Sequence, residues 1–395
     1  MKLLFYSDTR DFGGHEVMAL EAIRYLSSLQ HVEVTVAYYK GNERLRNRLA
    51  GLEEKPTLIP LDHYTQSLPS LRVLFQRRLV SSLTHLFHEQ QPDVIIIVHG
   101  YIGTCAAGLV AARQAMVKVV SYLASAKKMR EVGLRAATLR DLFDHRLYSL
   151  PDAFLTISEI MRDHLLRRGI SDKRIAVVNN GVRLEPKVKV SRSEARKILC
   201  LDQDAFVIGL VGRINFVSKA YDVFLRSVHA VKDRLSDVAF LIVGDGPDEK
   251  KLSQMIKELS LENRVMLVPW KDSLDQVYAA IDALAIPSRS EVVPLTMLEA
   301  MSRRIPVIGN RIEELQIFLP DEWLFRADDP ISVLATINHV RRGVDSSLLE
   351  HNRRLIEREY NLSDFGHRFH TSLCNVLGIR ESFRAYEHGI RSASR

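Results

Sequence analysis

The chain has 395 residues, more than a single hydrophobic core usually supports, so two domains are expected. Its 46% hydrophobic and 26% charged residues are the composition of a soluble globular protein, and no apolar run reaches the length of a membrane span. The net charge is +7, and residues 1–185 hold most of it, with 25 Lys and Arg against 19 Asp and Glu. Three scattered cysteines match neither a disulfide framework nor a metal site and suit a reducing cytoplasm.

The opening MKLLFYSDTR has too short an apolar core for a signal peptide and reads as a strand at 3–7. A helix at 14–29 is entered through DFGGHE, 11–16. There Gly13 and Gly14 permit close backbone approach, and the helix N-terminus favours an anion. His15-Glu16 is not a zinc-protease motif, because Ala19 stands where the second His would be. Strands at 32–37, 94–98, 118–123 and 153–157, with helical patterns between most of them, have the rhythm of a parallel sheet covered on both faces. Residues 71–86 and 127–146 mix basic and apolar side chains as amphipathic helices do. They could rest on anionic lipid, face an anionic acceptor, or simply present a solvated face. Aromatics do not interleave with these charges, which argues against nucleic acid.

A stretch rich in Lys, Pro and Ser at 184–193 reads as a linker, after which the alternation restarts. Strands at 206–211, 239–243, 265–268, 283–286 and 306–308 are separated by helices such as 221–235 and 249–259. Two doubly wound domains would then face each other across a cleft, with ligands outside the carboxyl ends of the strands. Arg213 and Lys219 fall in the loop after the strand at 206–211, where two cations can clamp a diphosphate. GDGP at 244–247 supplies two glycines of a dinucleotide fingerprint, but the third position is Glu249, a poor fit to NAD. Asp202-Gln203-Asp204 precedes its strand, at the wrong end of the sheet for a metal-holding pair, and reads as a solvated turn.

The most informative segment is IPSRSEVVPLTMLEAMSRRIPVI, 286–308. A helix beginning near Pro294, with proline at its first position, leaves backbone amides unpaired and a partial positive charge at its start. Glu291 precedes that start and Glu299 follows it. Carboxylates pair well with the neighbouring hydroxyls of a sugar or ribose, so a phosphate site between them suggests a nucleotide sugar. An amphipathic helix with two solvated glutamates is the plainer alternative.

GGHE at 13–16, VGRI with Lys219 at 211–219, VGDGP at 243–247, the Glu291/Glu299 pair, EAMSRRIPVI at 299–308 and NNGV at 179–182 occur in one order. Together they resemble the retaining glycosyltransferases of family four. That resemblance implies an α/β chain of the GT-B fold, two Rossmann-like doubly wound domains facing across a cleft. Residues 1–185 would form the acceptor-side domain, completed by a C-terminal helix at about 370–395, and 194–369 the nucleotide-sugar domain. Arg213 and Lys219 would bind the donor diphosphate, Glu291 the donor sugar hydroxyls and Glu299 the ribose. The amides of Leu295 and Thr296, after Pro294, would hold the distal phosphate. The base would lie near Pro269, Trp270 and Lys271 with Gly244 close by, and Gly14 would close over the phosphates from the opposite domain.

No metal and no cofactor beyond the donor, a UDP-sugar, are implied. The expected partners are a glycan or lipid-linked acceptor and, through the basic first domain, the inner membrane face of a cytoplasmic enzyme. Three positions depart from the family pattern. Ala220 follows Lys219 where many relatives have Gly, and Pro294 stands where others have Gly. Leu123 stands near the strand end where many relatives place a His, which makes His99, at the preceding strand end, the best substitute on location. A nucleotide-sugar epimerase, a sugar phosphorylase or a non-catalytic scaffold on the same fold are the alternative readings.

Overall fold

The computed structural model describes residues 1–131, 137–184 and 189–379. It contains two parallel sheets. The first comprises β1 (Lys2–Ser7), β2 (Glu33–Tyr39), β3 (Thr57–Leu61), β4 (Val94–Tyr101), β5 (Lys118–Ser125), β6 (Ala153–Thr156) and β7 (Ile175–Val177). The second comprises β8 (Phe206–Val211), β9 (Val238–Val243), β10 (Val265–Val268), β11 (Ala283–Ile286), β12 (Val307–Asn310) and β13 (Leu324–Phe325). Their orders are β3-β2-β1-β4-β5-β6-β7 and β10-β9-β8-β11-β12-β13. Strand order therefore reverses between β1 and β4 and again between β8 and β11, and ligands of open α/β sheets bind outside the strand ends at such points.

The central strands are apolar on both faces because helices cover both. Leu4 and Tyr6 of β1 share one core with Ile95 and Ile97 of β4, while Leu3 and Phe5 share the opposite core with Ile96 and Val98. In the second domain Phe224 packs between Phe240 and Phe325, ring centroids 5.9 and 5.4 Å away. Below β8, the wholly buried Arg196 donates to the carbonyls of Asp202, Gln203, Ala205 and Ala280 and pairs with Asp282. The Asp202–Asp204 turn is thus tied down by a buried cation at the amino end of its strand, away from the cleft.

Three helices place the functional residues: α1 (Gly14–Ser27), α2 (Leu295–Ser302) and α3 (Leu362–Leu377). The last leaves the second domain and packs on the first, with Phe369 6.3 Å from Phe5 and 5.2 Å from Tyr122 between ring centroids. The two crossings between domains run side by side, joined by Val182 N–H to Tyr360 O (2.8 Å) and Leu362 N–H to Val182 O (3.1 Å).

Several elements differ from expectation. The strands β3, β7 and β13 were not foreseen. All three are edge strands and β13 has only two residues, so none carries the long buried run that marks β4. The amphipathic helix expected at 71–86 is broken into Pro69–Arg72, a 3-10 turn Val73–Phe75, and Arg77–Gln90. Of 127–146, only Ala137–Leu147 is helical among the described residues, and 132–136 lie outside them. Positions 185–188 of the expected linker and 380–395 of the C-terminal segment also lie outside the described residues, and the return helix starts at Leu362, before position 370.

Candidate functional site

Beyond β8 the chain turns through Gly212 into a short helix, Phe216–Lys219, whose N-cap Asn215 accepts from the Ser218 amide at 3.0 Å. Lys219 ends that helix and its Nζ reaches Glu291 Oε1 at 2.5 Å, while Ser288 Oγ donates to the same oxygen at 2.6 Å. Ala220 follows with φ +52°, a left-handed conformation that costs a residue with a Cβ about 1 kcal/mol.

The loop carrying Glu291 is held from four directions. Arg289 N–H donates to Ser218 O (2.9 Å), and Asn310 Nδ2 donates to Ser288 O (3.1 Å). From the first domain's side, Asn180 Nδ2 donates to Val293 O (3.1 Å) and Lys127 Nζ to Ser290 Oγ (3.3 Å). Sequence motifs mark Asn180 only as part of NNGV and Lys127 only as part of the basic segment 127–146, and they do not mark Ser288 or Asn310 as site residues. Their signal is polarity at buried or half-buried positions, which a sequence alone does not display.

Pro294 is the N-cap of α2, with extended ψ of 124°, and not its first helical residue as expected. The amides of Met297 and Leu298 close on its carbonyl at 3.1 and 3.2 Å. Among the described residues no hydrogen bond is found for the amides of Leu295 and Thr296. A Cβ added to Gly14, the first residue of α1, would lie 3.2 Å from Leu295 Cδ1. The first residues of two helices, one from each domain, therefore meet across the cleft.

Glu299 lies inside α2 and accepts from the Tyr278 hydroxyl at 2.6 Å. Burial raises its carboxyl above the usual range, and the Tyr278 hydrogen bond opposes that rise. Tyr278, also unforeseen, carries Arg303 over its ring at 4.8 Å, and Arg303 pairs with Asp275 at 3.0 Å.

Gly244, after β9, donates to Val268 O at 3.0 Å and has φ +152°. Pro269, Trp270 and Lys271 follow β10 at the rim of the cleft. Arg44 of the first domain lies 4.8 Å over the Trp270 ring and pairs with Asp245, and Arg48 pairs with Asp272 at 3.0 Å. Arg213 is not drawn into the Lys219–Glu291 contact. It crosses the cleft to Asp11, in the loop before α1, at 2.7 Å.

His99 is wholly buried. Its Nδ1 lies 2.6 Å from the Thr104 carbonyl, which can only accept, so that nitrogen carries the proton and Nε2 is left without a partner among the described residues. Burial pushes its pKa down to about 3, which keeps it neutral. His15, next to Gly14, donates from Nε2 to Tyr122 O at 3.1 Å, and burial pushes it down to about 4.

Two Rossmann-like sheets, with helix starts, cations and carboxylates gathered between their strand ends, define a GT-B architecture. The family model described as Glycosyltransferase Family 4 matches residues 12–186, and the one described as Glycosyl transferases group 1 matches residues 205–341. The chain is 24% identical to a lipopolysaccharide 1,6-galactosyltransferase of Escherichia coli K12, over 78% of this chain and 79% of that protein. It is 25% identical to a UDP-Gal:alpha-D-GlcNAc-diphosphoundecaprenol alpha-1,3-galactosyltransferase of Escherichia coli, over 78% and 82%. Among solved structures, Anabaena Alr3699/HepE in complex with UDP and glucose superposes with a TM-score of 0.77 at 18% identity, covering 94% of this chain and 99% of that one. The chain belongs to the group 1, family 4 glycosyltransferases, and glycosyl transfer is its reaction class.

Proposed function

We propose that this chain moves a hexosyl unit from a UDP-sugar to a hydroxyl of a glycan or lipid-linked acceptor, with retention of anomeric configuration and without a metal ion. The observation that carries the reading is the meeting of α1 and α2 at Gly14 and Leu295. Two helix N-termini, each with partial positive charge, converge where the carboxyl ends of both sheets face each other. A diphosphate there meets the amides of Leu295 and Thr296, draws Lys219 from Glu291, and draws Arg213 from Asp11. Glu291, once released, accepts from sugar hydroxyls. Glu299 reads the ribose, and the base lies against 269–271.

In the transfer, the bond between the anomeric carbon and the diphosphate oxygen breaks. The acceptor oxygen bonds to that carbon on the same face, and its proton passes to a phosphate oxygen of the departing UDP. Negative charge grows on the diphosphate as the bond opens, and each preorganised donor meeting it is worth roughly 3–4 kcal/mol. Two cations and two helix ends supply the neutralisation that a divalent metal provides elsewhere. His99, dry and neutral, supports the β4 end and is given no proton to carry.

Uridine donors and a lipid-linked acceptor occur in the names of the related proteins, which supports those choices. Peripheral contact with anionic lipid is supported by the basic first domain and by Leu74, Phe75, Leu139 and Leu142, all exposed on two segments joined by the Ser70–Asp144 hydrogen bond. No described helix is long and apolar enough to cross a membrane.

The test is transfer and slow donor hydrolysis in wild type and Lys219→Ala. A loss of about 100-fold or more in kcat is expected, and turnover within about threefold of wild type would refute the clamp.

A further inference from the structure

Among the described residues four ion pairs join the two domains, and three of them are wet. Arg213–Asp11, Arg44–Asp245 and Arg48–Asp272 have side chains between 38 and 88% exposed, where solvent screening leaves an ion pair little net worth. The fourth, Lys127–Glu314, is dry, with side chains 11% and 1% exposed.

The backbone that presents Lys127 is pinned in the first domain. The Ala126 amide donates to Met161 Sδ at 3.3 Å, and the Ala126 carbonyl accepts from Arg168 Nε and Nη2 at 3.1 and 2.8 Å. From that base the side chain crosses to the second domain and places its ammonium on Glu314 and 3.3 Å from Ser290 Oγ. Glu314 lies just after β12, at the carboxyl end of the second sheet. Apart from the Lys127 ammonium, neither of its carboxylate oxygens has a partner among the described residues. Breaking a buried ion pair leaves an uncompensated charge, and among the described residues the cation paired with Glu314 comes from the other domain. The same ammonium touches the residue before Glu291, whose loop must yield Glu291 to the donor sugar.

We infer that Lys127 is a positioning residue for transfer: anchored on Glu314, it sets the Ser290–Glu291 loop when the two domains meet. The inference rests on the transferase reading above for its effect on turnover, and on the Lys127–Ser290 contact alone for its effect on the loop.

The experiment compares wild type with Lys127→Met, Lys127→Arg and the double variant Lys127→Met/Glu314→Gln, which leaves no unpaired buried charge and so guards against misfolding. UDP affinity by calorimetry is expected to stay within about threefold, because the diphosphate ligands are elsewhere, while kcat falls about tenfold or more in both Met variants. Lys127→Arg is expected to recover kcat to within about threefold of wild type, since it restores charge and donors. Amide hydrogen exchange over 288–293 is expected to quicken in both Met variants, whether or not a productive donor has been found. If wild type transfers sugar and the folded double variant matches it in kcat and exchange, the inference is overturned. Equal losses in all variants with no recovery by arginine would also overturn it, leaving Lys127 a structural residue. Faster loop exchange in a protein whose wild type turns over no nucleotide sugar would uphold the positioning role and refute the transferase reading instead.

Discussion

Replacing Gly244 by alanine would probe how tightly the cation loop is fitted to its neighbour. Gly244 has φ +152°, and a Cβ built on it would lie 1.9 Å from the backbone oxygen of Gly212, about 1.5 Å inside ordinary contact. That obstacle is main chain and cannot swing aside like a flexible side chain. A side chain held at such a φ costs about 1–3 kcal/mol, and forced overpacking costs about 1–3 kcal/mol more. Each kcal/mol moves the melting midpoint of a domain this size by about 2–4 °C, so a drop of at least about 4 °C is expected. Gly212 directly precedes Arg213 and donates to Val243 O at 3.0 Å, so displacing it displaces the guanidinium. A misplacement of about 1 Å can cost on the order of 100-fold in rate. Thermal melts, UDP calorimetry and kcat would be measured beside Gly343→Ala. That glycine also has positive φ, but nothing lies within 4 Å of its added Cβ. The control should share the strain and spare UDP binding. If Gly244→Ala kept its midpoint within about 2 °C and its UDP affinity within about threefold, the reasoning from this contact would be refuted.

Two further outcomes follow from other parts of the molecule. His15 and His99 are buried neutral, with folded pKa values near 4 and 3 against 6.5 for the free side chain. The unfolded chain therefore takes up these protons first. Their contribution is whole above pH 6.5 and is lost as pH falls toward 4 and then 3, on the order of 3 kcal/mol for His15 and 5 kcal/mol for His99. Urea titrations across pH 4–7 should show a shallower acid loss in His15→Gln and His99→Asn than in wild type, and parallel profiles would contradict the burial argument. At the surface, Phe75 is 81% and Leu142 64% exposed. In co-sedimentation with phosphatidylglycerol vesicles, Phe75→Ser/Leu142→Ser should bind about tenfold more weakly or worse, given roughly 1.5–3 kcal/mol per large apolar side chain buried. Unchanged binding would remove lipid from the account of that patch.

The central strands were legible because both faces of each are covered, so β1, β4, β8 and β11 read as short apolar runs. The edge strand β3 was not, since most of its residues are exposed or half-buried and its identity comes from pairing with β2. Periodicity suggested one helix over 71–86, yet it breaks at Gln76, whose ψ of 40° is not helical. The site divides in the same way. Glycines after strands, the cations Arg213 and Lys219, and the carboxylates around α2 could be named in advance, because each marks a local need for a turn or a charge at a strand end. Their company could not. Lys219 meets Glu291, and Arg213 meets Asp11 instead of sharing one cradle with Lys219.

By itself the sequence determined two doubly wound domains and a helix start flanked by the carboxylates Glu291 and Glu299, on which the proposed donor site is built. These follow from burial periodicity and turn chemistry, which act over a few residues. The tertiary structure alone decided that Gly14 abuts Leu295, that Asn180 and Lys127 hold the Glu291 loop from outside it, and that Glu314 is dry. Lys127 and Ser290 are 163 positions apart in the chain. No local preference can encode a contact between side chains of two different sheets.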